Sequence, residues 1–571
     1  MLKHYRTCLL CCLLLYSASA HTTDRQLLSV DWLNKPQITT SPVQSTAFAP
    51  LNKSSLQPTR FSGQITLEAV ADKPYFKTIT DRYQVVKKNT FQITKLPFIQ
   101  LDIIQRGDTI IPSIGTVVTS KHPYWEWLIM PGKIWQEPGD DGYTRVALPF
   151  ALQEKNANCT HNGLILLLLK ADGGSSTGFV QITSETCAYL QFDFASRINV
   201  DFQPKPIAGE NELIQVFLNH QNSKTIILTT AALKLAYPLL DVDKLQPPDT
   251  RGSTVSGVLI NGRHYRLHCQ TRFGSDPYCD NLALPSYSTA KSIFAGLALM
   301  RLEKLYPGIG QTPVTEIVPE CAGKSWQGVT LSHLLNMRTG HYSSRETDMD
   351  ETSKKMIGFF LAETHREKLE LACNMFPRRG KPGGPFVYHT SDTYLAGIML
   401  NKLYQKLEKR ADIYTDWFAD DLWPSLHLSP LLADSKRSYD DIGQALTGFG
   451  LTYTVDDILK ISRFLFSQVG AADSILDQKL LSSALQTGSH RINRLTDDPY
   501  LAYNNGFWAL EVSKTLGCKN PKWIPFMSGY GGITVALISP DLLYYNYADD
   551  NQYRWLGVVK ELQRQFNLCE D

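Results

Sequence analysis

The sequence has almost no net charge, no long apolar run and no low-complexity tract. Lys and Arg number 57 against 55 Asp and Glu, so the chain offers no field for a polyanion, and no basic run of the kind that grips nucleic acid occurs. Nucleic acid is not an expected partner. The apolar stretches Leu9 to Leu15 and "LILLLLK" at 164–170 fall short of the roughly 18 residues that a membrane span requires. The second reads as a buried strand. No internal repeat is visible. No C-x-x-C pair lies among the cysteines that follow residue 20, so a zinc site is not expected, and no other metal or organic cofactor is implied.

What is present is size, a leader-like start and an even set of cysteines. At 571 residues the chain exceeds one ordinary core and suggests two or three domains. Its first twenty residues, "MLKHYRTCLLCCLLLYSASA", give a basic start at Lys3 and Arg6, an apolar stretch, and small residues at Ala18, Ser19 and Ala20. That is the pattern of a secretory signal peptide, and it predicts a periplasmic or secreted protein beginning at His21. Cys8, Cys11 and Cys12 would leave with it. Eight cysteines remain, and in an oxidising compartment they can form four disulfides. Sequence-local pairs are the expectation, 159–187, 269–279, 321–373 and 518–569, although the sequence itself does not choose among the pairings.

From about 60 to 204, short alternating runs such as "SGQITLEAV", "FIQLDIIQ", "RVALPFAL" and "STGFVQITSE" are separated by Gly, Pro, Asp and Asn. They predict an all-β, sandwich-like domain over 21–205. The polar stretch "DFQPKPIAGENE" at 201–212 is the candidate linker. In the second domain, 206–571, strand-like runs over 213–270 include "SGVLINGRHYRL", whose Asn261-Gly262 invites a hairpin turn. Helical periodicity then dominates in "SIFAGLALMRLEKLY", "TLSHLLNM" and "TVDDILKISRFLF", and strands return before a final helix, "YRWLGVVKELQRQF". The fold class is α/β in composition, more closely α+β, with an antiparallel sheet because the strands cluster at the two ends of the region.

One stretch carries chemistry. In "PSYSTAKSIFAGLALM", Ser288 stands three places before Lys291 at the mouth of an apolar helical run. That separation puts both side chains on one helix face, where the amine can reach the hydroxyl. Serine is a poor nucleophile until a neighbour takes its proton, and a desolvated lysine can do so near neutral pH. The bland alternative is a helix-capping Ser288 with Lys291 in solvent.

The ordered series decides between them. "PSYSTAKSIFAGLALMRLEKL", "WQGVTLSHLLNMRTGHY" at 326–342, "LTGFGLTYTVDDILKISRFLF" at 446–466 and "YNNGFWAL" at 503–510 together resemble the serine β-lactamase and penicillin-binding-protein superfamily. The closest branch looks like class C β-lactamases, their esterase and D,D-peptidase relatives, and the 6-aminohexanoate oligomer hydrolases. The likeness spans about 225–560 and leaves the first domain uncovered. It implies a β-lactamase-like catalytic domain and a Tyr-x-Asn motif, matched in "FVYHTSDTYLAG" by Tyr388 with Thr390 in the asparagine place. It also implies a Lys-Thr-Gly or His-x-Gly strand, matched in "FMSGYGGITVALISP" by Met527, Ser528 and Gly529. Ser288 would then attack, with Lys291 and Tyr388 moving its proton, Tyr388 as base only where a cation favours its phenolate. The amides of Ser288 and Tyr530 would hold an oxyanion, and Thr390, Ser528 and Gly529 would line the substrate site. His389 and His333 are weaker candidates for a base, and Asp392 fits a helix N-terminus better than catalysis.

The sequence thus predicts an exported serine hydrolase that cleaves an ester or amide, a carboxylic ester, linear amide, β-lactam or D-peptide, through an acyl-enzyme. Thr390 and Met527, which depart from the family pattern, keep open an acylation-only sensor or binding protein of the cell envelope. The expected partner is a small-molecule or peptide substrate. A cell-wall or carbohydrate contact through the first domain is suggested by Trp125 and Trp127, two apart on one strand face, although such pairs are commonly core.

Overall fold

The computed structural model describes residues 25–38, 42–51, 60–70, 75–88, 92–247, 252–487, 493–495 and 497–570. The leader-like segment lies outside the described residues. Ten strands make up the first region: β1 (Ser62–Ala69), β2 (Phe76–Asp81), β3 (Ile99–Arg106), β4 (Thr109–Pro112), β5 (Trp125–Ile129), β6 (Gly132–Trp135), β7 (Thr144–Glu154), β8 (Thr160–Leu169), β9 (Gly178–Thr186) and β10 (Phe192–Pro204). They form one antiparallel sheet in the order β1-β3-β4-β6-β7-β8-β9-β10-β2, with β5 beside β7. Its ends meet, because β10 also pairs with β1 from Ala69 opposite Ile198 to Gly63 opposite Pro204. Where two stacked sheets were expected, a single sheet closes on itself, which leaves few open edges.

Alternation decides what the closed sheet encloses. Ile65, Leu67, Leu148, Phe150, Ile165 and Leu167 point to one core. The intervening Leu164, Leu166 and Leu168 pack outward against Leu28, Leu33 and Phe48 of the N-terminal segment. That second covering explains why "LILLLL" is continuous rather than alternating. Trp125 and Trp127 are fully buried. Their indole N–H groups donate to Ile93 O and Pro97 O, each at 2.9 Å. They are core residues and are not available as a stacking platform for sugars.

The candidate linker is partly structured. Strand β10 continues to Pro204, and a helix begins at Glu210 and runs to Ser223, where strand was expected. Glu210 and Glu212 in its first turn favour helix through the N-terminal dipole, and none of its residues is fully buried, so no sheet claims it.

The second sheet has eight strands in the order Ile227–Leu228, Arg263–His268, Ser253–Ile260, Leu542–Ala548, Ile533–Ser539, Trp523–Gly529, Phe507–Glu511 and Leu501–Asn504. It is antiparallel apart from the first pair. Asn261 and Gly262 have φ of 50° and 73°, the left-handed pair that a tight hairpin requires. On one face Val255, Leu259, Met527 and Val535 join the core of the helical layer, which includes Leu297–Leu305 and Thr390–Glu408. On the other, Val258, Ile260, Ile524 and Tyr544 pack beneath the helix Leu556–Leu562. The sheet is thus covered on both sides. No helix among the described residues is long and apolar enough to cross a membrane.

Buried polar contacts join the first sheet to segments of the second region that lie outside its eight-stranded sheet. Gln153 donates to Thr452 Oγ1 at 2.7 Å, and Asn162 exchanges two hydrogen bonds with the backbone of Ala283. Lys436 Nζ sits 2.9 Å from Glu126 Oε2, both out of solvent. Disulfides link Cys159–Cys187, Cys269–Cys279, Cys321–Cys373 and Cys518–Cys569, the four local pairs.

Candidate active site

Ser288 stands on a tight turn rather than inside a regular helix. Tyr287 has φ of 40°, a left-handed conformation that costs a bulky residue about 1–3 kcal/mol. The turn Tyr287–Thr289 is followed by a widened helical turn, Lys291–Gly296, and only then by the α-helix Leu297–Leu305. What holds this shape comes largely from the first sheet. Asn158 Oδ1 accepts from Tyr287 N at 2.7 Å and from Ser286 Oγ at 2.9 Å, while Asn158 Nδ2 donates to Leu451 O at 3.1 Å. Thr289 Oγ1 meets both Ser286 O and the Tyr453 hydroxyl.

Asn158 was not legible as a site residue, since it is one polar residue beside Cys159 and 129 positions from Tyr287. Asn158→Ala is expected to leave the buried Tyr287 N–H without its partner. The cost should be about 1–3 kcal/mol in urea unfolding, with a matching loss of Ser288 reactivity.

Lys291 is the group that the sequence singled out, and it is 1 % exposed. Its Nζ lies 2.9 Å from Ser288 Oγ, 2.9 Å from Thr390 Oγ1 and 3.0 Å from Gly448 O. Burial pushes the ammonium down to about 8, against the opposing pull of the Glu351 carboxylate. The turn Asn505–Gly506 closes over its backbone. A Cβ at Gly506, whose φ is 90°, would stand 2.3 Å from Lys291 O, so glycine is required there.

Tyr388 precedes the helix Thr390–Glu408. Its ring stacks on Trp508 and lies with its centroid 5.0 Å from Lys291 Nζ. Burial holds its phenol well above the ordinary value, against the Ser288 side chain, which draws it down, so the condition for a phenolate base is not met. Tyr388 is a neutral donor and acceptor here, and Lys291 is the better base of the two.

Glu351 was missed. Its carboxylate accepts from Thr390 N at 2.8 Å and, more closely, from Thr390 Oγ1. The loop "SSRETDMDETS" that bears it has no catalytic signature. His389, raised as a base, is a clamp instead. Its Nε2 is 3.2 Å from Asp350 Oδ2 and its Nδ1 3.6 Å from Asp392 Oδ2. Burial alone would lower it, yet those two carboxylates carry it up to about 9. It is an imidazolium at neutral pH and has no lone pair to offer. His333 completes a capping box with Thr330.

Strand Trp523–Gly529 ends beside the Ser288 turn. A Cβ at Gly529 would lie 3.0 Å from Ser286 O and 3.2 Å from Tyr287 Cβ, so a side chain there would have to push the strand or the turn aside by a few tenths of an ångström. Ser288 and Ser528 are both partly exposed, and the Tyr530 ring is exposed between Tyr287 and Tyr189 of the first sheet. Met527, where the resemblance leads one to expect a cation, is fully buried in the helical core.

Two spacings that resemble metal sites lead elsewhere. Cys159, His161 and Cys187 lie within ligand distance of one another, but the two sulfurs are bonded to each other. His264 and His268, four apart, hydrogen-bond separately to the Tyr545 hydroxyl and Ser253 O.

With this geometry in place, the comparison with known families is specific about one segment. Residues 243–441 match the family model described as Beta-lactamase. The matched segment carries Ser288, Lys291, Tyr388 and Thr390. No curated protein matches the chain. Among solved structures, a D-stereospecific amidohydrolase from Streptomyces sp. is 15% identical, with a TM-score of 0.41 over 57% of this chain and 97% of that one. A penicillin-binding-protein homologue from Caulobacter crescentus is 12% identical, with a TM-score of 0.40 over 62% and 98%. A class C β-lactamase is 14% identical, with a TM-score of 0.39 over 63% and 98%.

Proposed function

We propose that the protein is an exported serine hydrolase that cleaves an ester or amide through an acyl-enzyme on Ser288. The observation that carries this reading is the fully buried Lys291, its Nζ 2.9 Å from the Ser288 hydroxyl and its pKa lowered to about 8. The neutral amine takes the Ser288 proton as Oγ adds to the substrate carbonyl. The amides of Ser288 and Tyr530 receive the developing oxyanion. The proton returns through Lys291 and the Tyr388 hydroxyl to the leaving group, and water then releases the acyl group by the reverse relay. Four disulfides and the leader-like N-terminus support export. With Trp125 and Trp127 in the core, the feature that suggested carbohydrate binding by the first region no longer supports it.

Neutral short-chain esters and amides are the favoured substrates. Met527 supplies no cation, and the Arg338 guanidinium donates to Gly384 O and Arg494 O. A substrate carboxylate left unpaired forgoes about 1.5–3 kcal/mol, or roughly 10- to 150-fold in affinity. Met527→Lys is not a remedy, because it would place an ammonium in the core. The reading is tested by steady turnover of p-nitrophenyl butyrate against nitrocefin, with burst kinetics. A single burst without turnover would instead favour the acylation-only sensor.

The pH dependence has a definite sign. Lys291 acts as base only when neutral, so kcat/KM for an ester should fall about tenfold per pH unit below its pKa of about 8 and level off above it. A rate that is flat from pH 6 to 9 would remove Lys291 as the base. Because that pKa lies below the unfolded value of 10.5, the unfolded chain binds the extra proton. The group's contribution to stability therefore rises with pH between the two values and is lost as pH falls through the lower one.

A further inference from the structure

We propose that Glu351 is a positioning residue which, by taking the hydroxyl proton of Thr390, aims the lone pair of neutral Lys291 at Ser288. The proposal rests on the acyl-enzyme reading above, with Lys291 as the base. A hydroxyl has one proton to give and lone pairs to accept with, whereas an ionised carboxylate only accepts. Thr390 Oγ1 stands between Lys291 Nζ, at 2.9 Å, and Glu351 Oε1, while Thr390 N holds Glu351 Oε2 at 2.8 Å. The two-point clasp commits the Thr390 proton to Glu351. Toward Lys291 the threonine oxygen is then an acceptor alone, as is Gly448 O at 3.0 Å.

A neutral amine has two hydrogens and one lone pair. With both hydrogens drawn to Thr390 and Gly448, the lone pair is left for the third neighbour, Ser288 Oγ at 2.9 Å. Were the Thr390 proton free, it could turn to Lys291 and occupy that lone pair, and the base would be spent on the wrong hydroxyl. This also accounts for the departure of Thr390 from the asparagine that the family resemblance leads one to expect. An asparagine carbonyl accepts without help, whereas a threonine hydroxyl is a pure acceptor only when something fixes its proton. Glu351 is that partner.

The test is the rate at which a fluorophosphonate acylates Ser288, followed by intact mass with peptide mapping. Glu351→Ala should slow labelling by about 10- to 100-fold, the scale of a mis-aimed catalytic group. Glu351→Gln, which keeps one acceptor and the side-chain volume, should fall between that variant and wild type. Introducing Thr390→Asn into Glu351→Ala should restore most of the rate, because the amide carbonyl needs no carboxylate to act as acceptor. Wild-type labelling by Glu351→Ala, or a double variant as slow as Glu351→Ala alone, would overturn the proposal, the latter being the result of a loop that was merely loosened. Absence of any adduct on Ser288 in wild type would instead sink the acyl-enzyme reading beneath it.

Discussion

Ser288→Ala is expected to remove fluorophosphonate labelling entirely and to lower ester turnover by on the order of 10⁴-fold or more, the scale seen when a nucleophile acting as part of a unit is deleted. The fold should survive. Ser288 is partly exposed, and the turn around it is held by Asn158, Ser286 and Thr289 rather than by the Ser288 hydroxyl. Lys291→Ala and Tyr388→Phe should each cost about 10²- to 10⁴-fold, as expected of groups that move the proton. The two differ in a useful way. Lys291 can supply a lone pair near neutral pH, whereas Tyr388, held well above its ordinary pKa by burial, can only pass a proton on. Tyr388→Phe should therefore depress the plateau without abolishing the pH dependence that Lys291 sets. Full labelling of Ser288→Ala would show that another residue is the nucleophile.

Reduction should be the most damaging change to stability. The bridges close loops of 28, 10, 52 and 51 residues, and each is worth about 2–4 kcal/mol in the chain-entropy picture. Net stabilities of folded domains are only about 5–15 kcal/mol. Losing all four should thus unfold the protein or leave it barely stable, and the thermal midpoint should drop steeply in reductant. Two of the bridges act near the site as well. Cys159 follows Asn158 directly, and Cys269–Cys279 closes the loop that leads into the Ser288 turn. Activity should therefore fail no later than the fold. Thiol titration after denaturation without reductant should find no free cysteine from residue 21 onward, and several free thiols would contradict the pairings.

Much of this was readable from local pattern. Period-two runs marked the first sheet, helical spacing marked Leu297–Leu305 and Val455–Ser467, and Asn261-Gly262 marked its hairpin, because each depends on neighbours a few residues away. The helix Glu210–Ser223 was not, since a polar amphipathic stretch with no buried residue gives little periodic signal. Nor was the closure of the first sheet, which depends on Ile198–Pro204 returning to Ser62–Ala69 across more than a hundred residues. At the site, Ser288, Lys291 and Tyr388 stood out because motif order carries them. Asn158 and Glu351 did not, because each acts through one long-range hydrogen-bonded group and leaves no spacing behind.

The contact of Asn158 with the Tyr287 turn has a further meaning for how the chain can be divided. The first sheet is not cargo that can be cut away while the second region keeps the Ser288 turn as it stands. It works as a splint whose tip sets the bend on which Ser288 is presented, with Tyr287 held at φ of 40° against its own preference. A lengthened or shortened Lys155–Asn158 loop would be felt at a serine more than a hundred residues away. The geometry of the Ser288 turn is therefore the joint property of both regions, as the shape of a glove is of the hand inside it.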